Sequence, residues 1–318
     1  MTMLTIGKTA PLLPPPGTGQ PWMRCNDARQ LTTTVPREYV HRSSLAEVFL
    51  TGCDRTGEDT FSLTGQWPRA HTFFTSADGT SHDPVQAGET IRQVGLYLCH
   101  ALYGVPLGHN VLLWNLDFTT RPEHLRIGRG PSDLEMTALC TGFGWKGNRF
   151  SGHLQVDIHR NGELAASGTA RFSCVAPATY RRLRGDRGLM ALTRPLPRRT
   201  PIPATSAGRL LSFDVVLAPT TQTGRWQLSP DLDHPILFEH TNDHHPGMVL
   251  IEAARQAASA LHTPTGFTPT AITTAFHHYA ELDAPCWIDA TQTTPGHVTI
   301  TGHQEGRTIF HSTVTGTT

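Results

Sequence analysis

The chain has 318 residues, which at roughly 150 residues per domain predicts about two domains. Lysine plus arginine number 26, as do aspartate plus glutamate, so the sequence lacks the basic excess with which nucleic-acid-binding proteins neutralise phosphates. Hydrophobic residues make up 38%, enough for a core in a chain this long. No apolar run approaches the roughly 20 residues of a membrane-spanning helix. We therefore expect neither a nucleic-acid nor a membrane partner.

The first 30 residues are rich in proline, glycine and threonine and lack hydrophobic periodicity, so we expect residues 1–30 to be disordered. They lack the long apolar stretch of a signal peptide. The 6 cysteines form no Cys-x-x-Cys pair, which predicts reduced thiols in a cytoplasmic protein. Among the 18 histidines there is no His-Glu-x-x-His, and the pairs 244–245 and 277–278 are adjacent residues, which do not easily share one ligand face. We predict no metal and no cofactor.

A proline- and arginine-rich stretch over residues 193–208 (TRPLPRRTPIPATSAG) is typical of a linker. It divides the chain into a first unit over 31–192 and a second unit over 209–318. The first unit has strand-like runs at 45–50 and 61–63, a helix starting at Pro84, and further strands over 111–118, 134–143, 150–158 and 165–175. The second unit repeats this order, with runs at 210–217 and 226–228, a helix starting at Pro246, and strands over 271–279, 286–293, 297–301 and 308–314.

Both predicted helices carry the pattern Glu-x-x-Arg-Gln, at 89–93 and 252–256. A proline at the start suits a helix, because the missing N–H would be unpaired there. One long helix followed by a meander of strands predicts an antiparallel sheet wrapped around a central helix, which is the hotdog architecture. Two units paired edge to edge cover both open sheet edges. We therefore predict an α+β tandem hotdog that is a monomer or a homodimer.

The residues before the second helix (FEHTNDHHPGM) combine imidazoles and carboxylates with a helix N-terminus. The free N–H groups of a helix start favour negative charge. A thioester carbonyl over the Gly247 N–H would be polarised there, and glycine has no Cβ to block its approach. His240, His244 or Glu252 can then move a proton. The alternative is that Asp243 and the histidines only cap the helix.

Two resemblances follow from these residues. Pro246-Gly247-x-x-x-x-Glu252-Ala253-x-x-Gln256 resembles the helix of hotdog dehydratases that act on acyl carrier protein thioesters. The wider sequence resembles the A-factor biosynthesis (AfsA-type) family. The resembling stretches are 33–42 (TTVPREYVHR), 46–52 (AEVFLTG), 177–185 (PATYRRLRG) and 243–256 (DHHPGMVLIEAARQ).

The family resemblance implies an acyltransferase of γ-butyrolactone or butenolide signal biosynthesis in actinobacteria, with a methylenomycin-furan type relative. Such enzymes join a β-ketoacyl group, delivered on an acyl carrier protein or coenzyme A, to the hydroxyl of dihydroxyacetone phosphate. The ester then closes to a phosphorylated butenolide. In the related dehydratases a histidine before the helix and a carboxylate on the partner subunit's helix perform the chemistry.

This transfer needs a base for the hydroxyl, a donor for the thioester oxyanion and a cation for the phosphate. Glu252 and His240 or His244, beside Asp243, are the candidate bases, and the Gly247 N–H is the candidate donor. Guanidinium groups match phosphate oxygens well. We predict further substrate or phosphate contacts from Arg37, His41, Arg42, Glu89, Arg92, Arg255 and Gln256.

Alternatives stay open at this point. Glu252 and Glu89 lie on apolar helices, where a buried carboxylate can instead form a structural salt bridge with an arginine. The cluster Arg181-Arg182-x-Arg184 is either a solvated loop or a docking site for an acidic carrier protein or a coenzyme A phosphate. Other functions for the chain are a hotdog dehydratase or thioesterase, a non-catalytic acyl-lactone-binding regulator, or an inactive scaffold for a carrier protein.

Overall fold

A single antiparallel sheet of twelve strands organises the computed structural model, which describes residues 32–187, 195–239 and 243–318. The first unit contributes β1 (Leu50–Arg55), β2 (Thr60–Trp67), β3 (Asn110–Thr120), β4 (Ser132–Lys146), β5 (Arg149–Arg160) and β6 (Glu163–Val175). The second contributes β7 (Leu217–Pro219), β8 (Arg225–Leu228), β10 (Thr268–Phe276), β12 (Trp287–Thr294), β13 (His297–Gln304) and β14 (Arg307–Thr317). The short strands β9 (His244–His245) and β11 (Ala280–Glu281) pair separately.

The strand order is a mirror image about the centre of the sheet: β1-β2-β4-β5-β6-β3 meets β10-β14-β13-β12-β8-β7. At the junction β3 and β10 are antiparallel, with Phe118 opposite Ile272 and Leu116 opposite Thr274. Each unit thereby uses the other to pair an edge strand that would otherwise be open. The predicted tandem hotdog is confirmed.

Two long helices, one in each unit, lie against this sheet. Helix α1 (Pro84–Tyr97) contacts β3, β5 and β6, and α3 (Gly247–Leu261) contacts β10, β12, β13 and β14. Pro84 occupies the first turn of α1, and the Asp83 side chain caps it by accepting the Val85 N–H at 2.9 Å. A π-helical turn (Leu98–Leu102) extends α1. The eight-residue helix α2 (Pro177–Arg184) follows β6.

Alternating burial along the strands places the core between sheet and helices. In β2 and in the first nine residues of β4, every second residue is buried, as expected for strands with one solvated face. The side chains of Ile91 and Val94 on α1, and of Val249 and Ile251 on α3, are fully buried. No helix of the described residues is long and apolar enough to cross a membrane.

The strands predicted over 45–50 and 210–217 are wrong for most of their length. Each run contains a 3-10 turn, Leu45–Glu47 or Ser212–Asp214, and strand pairing starts only with β1 and β7. The reason is a side chain that takes the place of a neighbouring strand. The Oε1 atom of a helix glutamine accepts a backbone N–H at 2.9 Å in both units, Gln93 from Phe49 and Gln256 from Val216.

The predicted unit boundaries, 31–192 and 209–318, stay a prediction. Residues 1–30, for which we predict disorder, lie outside the described residues. Residues 193–194 of the predicted linker do so as well. Its described part, 195–208, contains the buried residues Ile202 and Ala207. The Ile202 N–H donates to the carbonyl of Leu217 in β7 at 2.9 Å. This part of the segment is therefore packed against the second unit.

A substitution at Gly168 of β6 can test how tightly α1 is packed on the sheet. A Cβ there would overlap the backbone carbonyl oxygen of Asp117 and lie 2.6 Å from Cδ1 of Ile91. Because a backbone atom has little room to move, we expect Gly168→Ala to lower the free energy of unfolding by about 1–3 kcal/mol. Urea denaturation measures this, with Gly144→Ala as control, since a Cβ at Gly144 of β4 meets nothing within 4 Å. Equal midpoints for the two variants would contradict the packing.

Candidate active site

A cleft of about 290 Å³ opens beside the start of α3. Strand β3 of the first unit contributes residues 111–114 to its wall, and residues 276–280 of the second unit form another wall. The remaining lining residues come from β5, α2, β9 and α3: Arg149, Leu183, His244, His245, Gly247 and Leu250. Both units are thus needed to build the cleft.

A histidine–carboxylate pair lies at this cleft. The Nδ1 atom of His244 is 2.6 Å from Oδ1 of Asp243, the Tyr180 hydroxyl donates to the same oxygen at 2.7 Å, and Nε of Arg184 donates to Oδ2 at 2.8 Å. Burial alone would raise the pKa of Asp243, but the hydrogen bonds from His244, Arg184 and Tyr180 outweigh it and lower that pKa. The ionised carboxylate assigns the proton of the neutral imidazole to Nδ1, which leaves Nε2 as the basic atom.

Helix α2 holds this pair in place. Tyr180 and Arg184 are four residues apart, so they share one helix face. Arg184 also donates two hydrogen bonds to Glu281 of β11, at 2.8 and 2.7 Å, and its guanidinium carbon lies 4.3 Å from the centre of the Tyr279 ring. Strand β11 in turn pairs with β9, with Glu281 opposite His244. The imidazole is therefore fixed through both its side chain and its backbone.

The α3 N-terminus forms the floor next to the pair. Pro246 is the N-cap residue, and Gly247 is the first helical residue, so the alternative role of Asp243 as the cap is wrong. Gly247 lines the cleft, where a Cβ would lie 3.4 Å from Cζ of Phe276 and 3.5 Å from Cδ2 of Leu113. The first N–H groups of a helix have no partner within the helix. A carbonyl oxygen near Gly247 would meet these donors and the positive end of the helix dipole.

His245, the neighbour of His244, is neutral at physiological pH. It is only 7% exposed, and burial, with a smaller contribution from His244, lowers its pKa to about 3. Its Nδ1 atom has no hydrogen-bond partner among the residues that the structure describes. Of the two adjacent histidines, only His244 is joined to a carboxylate.

Glu252 is fully buried and does not line the cleft. Its carboxylate accepts two hydrogen bonds from Arg209 (2.7 and 2.5 Å), two from Arg255 (3.0 and 2.8 Å) and one from Gln256 (2.6 Å). Burial raises the pKa of Glu252, but the charges of Arg209 and Arg255 lower it to about 2. A carboxylate saturated in this way is a weak base.

Glu89 on α1 has the same surroundings. It accepts hydrogen bonds from Arg42 (3.1 Å), Arg92 (2.8 and 2.9 Å) and Gln93 (2.9 Å). Burial again raises its pKa, and Arg42 and Arg92 lower it to about 2. The predicted residues Arg42, Arg92, Arg255 and Gln256 are thus gathered into two buried clusters, which we call the Glu89 cluster and the Glu252 cluster.

One arginine of each cluster reaches into the other unit. Arg42 donates to Glu239 at 2.6 Å and to the carbonyl of Ile236 at 2.9 Å. Arg209 donates to Asp83 at 3.1 Å and to the carbonyl of Phe73. The two clusters therefore cross-link the units as well as fixing the helices. Sequence reasoning missed Arg209 because it lies next to the predicted linker.

The start of α1, which corresponds to the candidate site at α3, is closed. Asp83 caps the helix and binds Arg209. His82 is only 1% exposed, and its Nε2 atom lies 2.9 Å from the Ser132 hydroxyl. Burial is the largest cause that lowers the pKa of His82, to about 4. This helix start has a structural environment, and the cleft is at the other one.

The remaining predicted residues lie elsewhere. Arg37 is exposed and pairs with Glu38 at 3.2 Å, and His41 lies with its Nε2 atom 2.8 Å from Nε2 of His100. His240 is outside the described residues. A cation that the sequence did not suggest, Arg149, lines the cleft. No group of three or more metal-ligating side chains occurs within 32–187, 195–239 and 243–318.

The fold and the cleft define a tandem hotdog protein with one histidine–carboxylate pair at the start of its second helix. A family model described as the A-factor biosynthesis hotdog domain matches residues 23–176 and again 190–318. The chain belongs to this family, as its sequence predicted.

Curated relatives match along nearly their whole length. The chain is 48% identical over 286 residues to a 2-oxo-3-(phosphooxy)propyl 3-oxoalkanoate synthase from Streptomyces virginiae, covering 88% of this chain and 96% of the relative. It is 40% identical over 298 residues to the synthase of the same name from Streptomyces coelicolor, covering 92% and 94%. A solved acyl-ACP thioesterase from Bacteroides thetaiotaomicron has the same fold, with a TM-score of 0.50 at 10% identity over 80% of this chain and 97% of that one.

The Glu89 cluster has a measurable pH signature. Because the pKa of Glu89 is lowered from 4.5 to about 2, its ion pairs stabilise the fold fully above pH 4.5, and this contribution is lost as the pH falls toward 2. We expect Glu89→Gln to cost about 3–5 kcal/mol at neutral pH, since it leaves buried arginines without their carboxylate. Denaturation as a function of pH should show this difference from wild type shrinking below pH 4.5.

Glu58→Gln is the control for that experiment, because Glu58 is exposed. It should leave the free energy of unfolding unchanged within about 0.5 kcal/mol. A Glu89→Gln difference that stays constant down to pH 2 would be inconsistent with a depressed carboxylate pKa.

Proposed function

We propose that this protein is an acyltransferase that joins a β-ketoacyl thioester to the hydroxyl of dihydroxyacetone phosphate. The product is the ester after which the Streptomyces relatives are named. Intramolecular aldol condensation of this ester then gives a phosphorylated butenolide, the precursor of a γ-butyrolactone or furan signal that controls antibiotic production. The observation that carries the proposal is the Asp243–His244 pair in a cleft that also contains a helix N-terminus.

The reaction needs one proton relay and one oxyanion site. Nε2 of His244 removes the proton from the alcohol while Asp243 stabilises the imidazolium that forms. The alcohol oxygen bonds to the thioester carbonyl carbon, and the resulting oxyanion is stabilised at the N–H groups that begin with Gly247. When the C–S bond breaks, the thiolate leaves and takes the proton from His244. No group on the protein is left modified.

Arg149 is the cation that we assign to the phosphate. It lines the cleft together with His277 and His278, and its guanidinium has no ion-pair partner among the described residues. A free guanidinium can bind two phosphate oxygens at once. By contrast, three of the four arginines predicted for this role (Arg42, Arg92 and Arg255) already bind buried carboxylates. The fourth, Arg37, pairs with the exposed Glu38 and does not line the cleft. We therefore assign Glu89, Glu252 and these arginines to positioning the helices.

A small, mostly apolar pocket of about 20 Å³ beside the cleft suits the terminal methyl group of the acyl chain. It shares Val111 and Leu113 with the cleft and continues between α1 and the sheet along Ile91, Arg92, Gly95, Leu96, Leu116, Ala170 and Phe172. A thioester carbonyl at Gly247 can thus extend its alkyl end past β3 into the first unit. Burial of one methyl or methylene group there contributes about 0.8 kcal/mol, so we infer that a chain whose end reaches this pocket is preferred.

We further infer a cytoplasmic enzyme that receives its acyl group from an acyl carrier protein or coenzyme A and acts as a monomer or homodimer. The cysteines of the described part of the chain, namely Cys53, Cys99, Cys140, Cys174 and Cys286, are free thiols. Free buried thiols are typical of a reducing compartment. The paired units supply in one chain the edge contacts that a single hotdog would need from a second subunit.

The central test incubates the enzyme with a short β-ketoacyl thioester and dihydroxyacetone phosphate and follows products by mass spectrometry. We expect a phosphorylated ester or butenolide. Its rate should fall about 10²–10⁴-fold in His244→Ala, because the general base is lost, and also in Asp243→Asn, because the imidazole tautomer is no longer fixed. His297→Gln, at an exposed position, is the control and should retain the wild-type rate.

If the products are instead free acid or a dehydrated thioester, and they form equally without dihydroxyacetone phosphate, the proposed transferase activity is wrong. The protein is then a hotdog thioesterase or dehydratase. A wild-type rate in His244→Ala would refute the assigned base while leaving the reaction itself in place.

Chain length is tested at Gly95. A Cβ there would lie 3.3 Å from Cδ2 of Leu154 and 3.3 Å from Cε1 of Phe172, so Gly95→Val narrows the pocket. We expect kcat/KM for a long acyl thioester to fall at least about tenfold, equivalent to about 1.4 kcal/mol, while a β-ketobutyryl thioester reacts at the wild-type rate. Parallel losses for both chain lengths would show that the chain does not enter this pocket.

A further inference from the structure

Helix α2 has two chemically different faces. Its inner face carries Tyr180 and Arg184, which hold Asp243. Its outer face carries Arg181 and Arg182, both exposed. Tyr180 and Arg184 on the inner face form hydrogen bonds with Asp243. By contrast, neither guanidinium of the outer face has an ion-pair partner in the described parts of the chain. The exposed charges are therefore available to another molecule.

Further cations lie on an adjoining hairpin. In the β4–β5 hairpin, Lys146 lies opposite Arg149 in the strand register. Arg149 in turn lies opposite Val175 of β6, two residues before α2 begins. Both cations are exposed, and the structure gives neither an ion pair within the described residues. The hairpin and the helix thus each carry exposed cations next to a residue that lines the cleft, Arg149 or Leu183. We call these cations the basic rim, on a chain whose formal net charge is zero.

Apolar side chains are exposed within this rim. Leu183 is 51% exposed and Trp145 47% exposed, and Trp114 is 37% exposed. Trp114 occupies a bulge of β3, where the register shifts between Leu113 and Asn115, and its Nε1 atom donates to the Ser173 hydroxyl at 3.0 Å. Leu183 and Trp114 also line the cleft. Exposed aromatic and aliphatic side chains beside arginines are typical of protein interfaces.

We propose that this rim, formed by Arg181, Arg182 and Lys146 together with Leu183, Trp114 and Trp145, docks an acidic acyl carrier domain, while Arg149, which lines the cleft, binds the phosphate of dihydroxyacetone phosphate. The proposal rests on the proposed function, because it names the macromolecule that delivers the thioester. Charge complementarity selects the partner: a small acidic domain is attracted by the unpaired cations. Its thioester arm then passes between Trp114 and Leu183 to reach Gly247.

The extent of the rim favours a protein over coenzyme A. Its cations are distributed over a helix and a separate hairpin, and each of these two elements also carries an exposed apolar side chain, Leu183 or Trp145. A nucleotide phosphate needs a compact cluster of donors, while a protein face uses separated charges around an apolar centre. Docking on the outer face of α2 also brings the carrier to the same helix whose inner face fixes Asp243.

The experiment compares three donors of one β-ketoacyl group: a carrier protein, coenzyme A and N-acetylcysteamine. We expect R181E/R182E to lower kcat/KM for the carrier-bound donor at least tenfold through a higher KM, with N-acetylcysteamine kinetics unchanged. R181Q/R182Q should give a smaller loss, because it removes charge without adding repulsion. The matched control R121E/R129E reverses two exposed arginines distant from the cleft, beyond the other end of β3, and should behave as wild type.

Two further measurements separate docking from chemistry. Raising the ionic strength from about 0.1 to about 1 M shortens the screening length from about 10 to about 3 Å, so the carrier kcat/KM of wild type should fall toward that of R181E/R182E. Fluorescence anisotropy of a labelled carrier measures binding without turnover. Binding that R181E/R182E abolishes would support docking even where no ester with dihydroxyacetone phosphate is formed.

Three results would overturn the proposal. Unchanged carrier binding and kinetics in R181E/R182E would remove these arginines from the interface. An equal loss with N-acetylcysteamine would mean that the substitutions disturb Asp243 through α2 instead. A loss confined to coenzyme A would identify the rim as a nucleotide phosphate site.

Discussion

Each central helix carries a glutamate with no exposure to solvent, and a charge in that position is tolerated only when it is paired on every side. Glu89 and Glu252 meet this condition with two arginines and one glutamine each. The rest of the structure depends on how these partners are used. The glutamines also bind the backbone ahead of β1 and β7, so each helix is tied to the edge of its own sheet half.

The arginines extend the same constraint across the molecule. Arg42 and Arg209 each bind a carboxylate from their own unit's helix and a carboxylate from the opposite unit. Sheet pairing between β3 and β10 joins the units through their backbones, and these two arginines add side-chain contacts between the units. The cleft is built from both units, so its two walls keep their places only while these contacts between the units hold. Its catalytic candidates then need only local support from α2 and β11.

Much of this architecture follows from periodicity in the sequence. The repeated Glu-x-x-Arg-Gln identified both helices, and alternating apolar residues identified most strands. The chemical partners of the helix glutamates could not be derived in this way. The same apolar burial that makes Glu252 resemble a catalytic group also suits a structural ion pair, and only the position of Arg209, 43 residues earlier, distinguishes them. Both carboxylate oxygens of Glu252 accept hydrogen bonds from Arg209 and Arg255. The local sequence therefore singled out Glu252 but could not tell a structural role from a catalytic one.

The sequence identified the two residues of the histidine–carboxylate pair but not the contacts that orient them. Asp243 and His244 are adjacent, and from the sequence alone helix capping accounts for Asp243 equally well, whereas the helix begins at Gly247 with Pro246 as its N-cap. Tyr180 and Arg184, which orient the pair, are about 60 residues distant in sequence, with 63 separating Tyr180 from Asp243. The prediction of a strand over 45–50 failed for a related reason: a side chain from a distant helix satisfies that backbone.

The closed start of α1 has a consequence for how such a molecule can diverge. In a symmetric dimer of single hotdogs, every substitution at one helix start is copied at the other, so a residue cannot serve as a brace in one and a reactant in the other. Joining the units in one chain removes that coupling. Asp83 can bind Arg209 while the residues before α3 are free to change independently of those before α1. In a tandem chain, one helix start can therefore brace the fold while the other borders an open cleft.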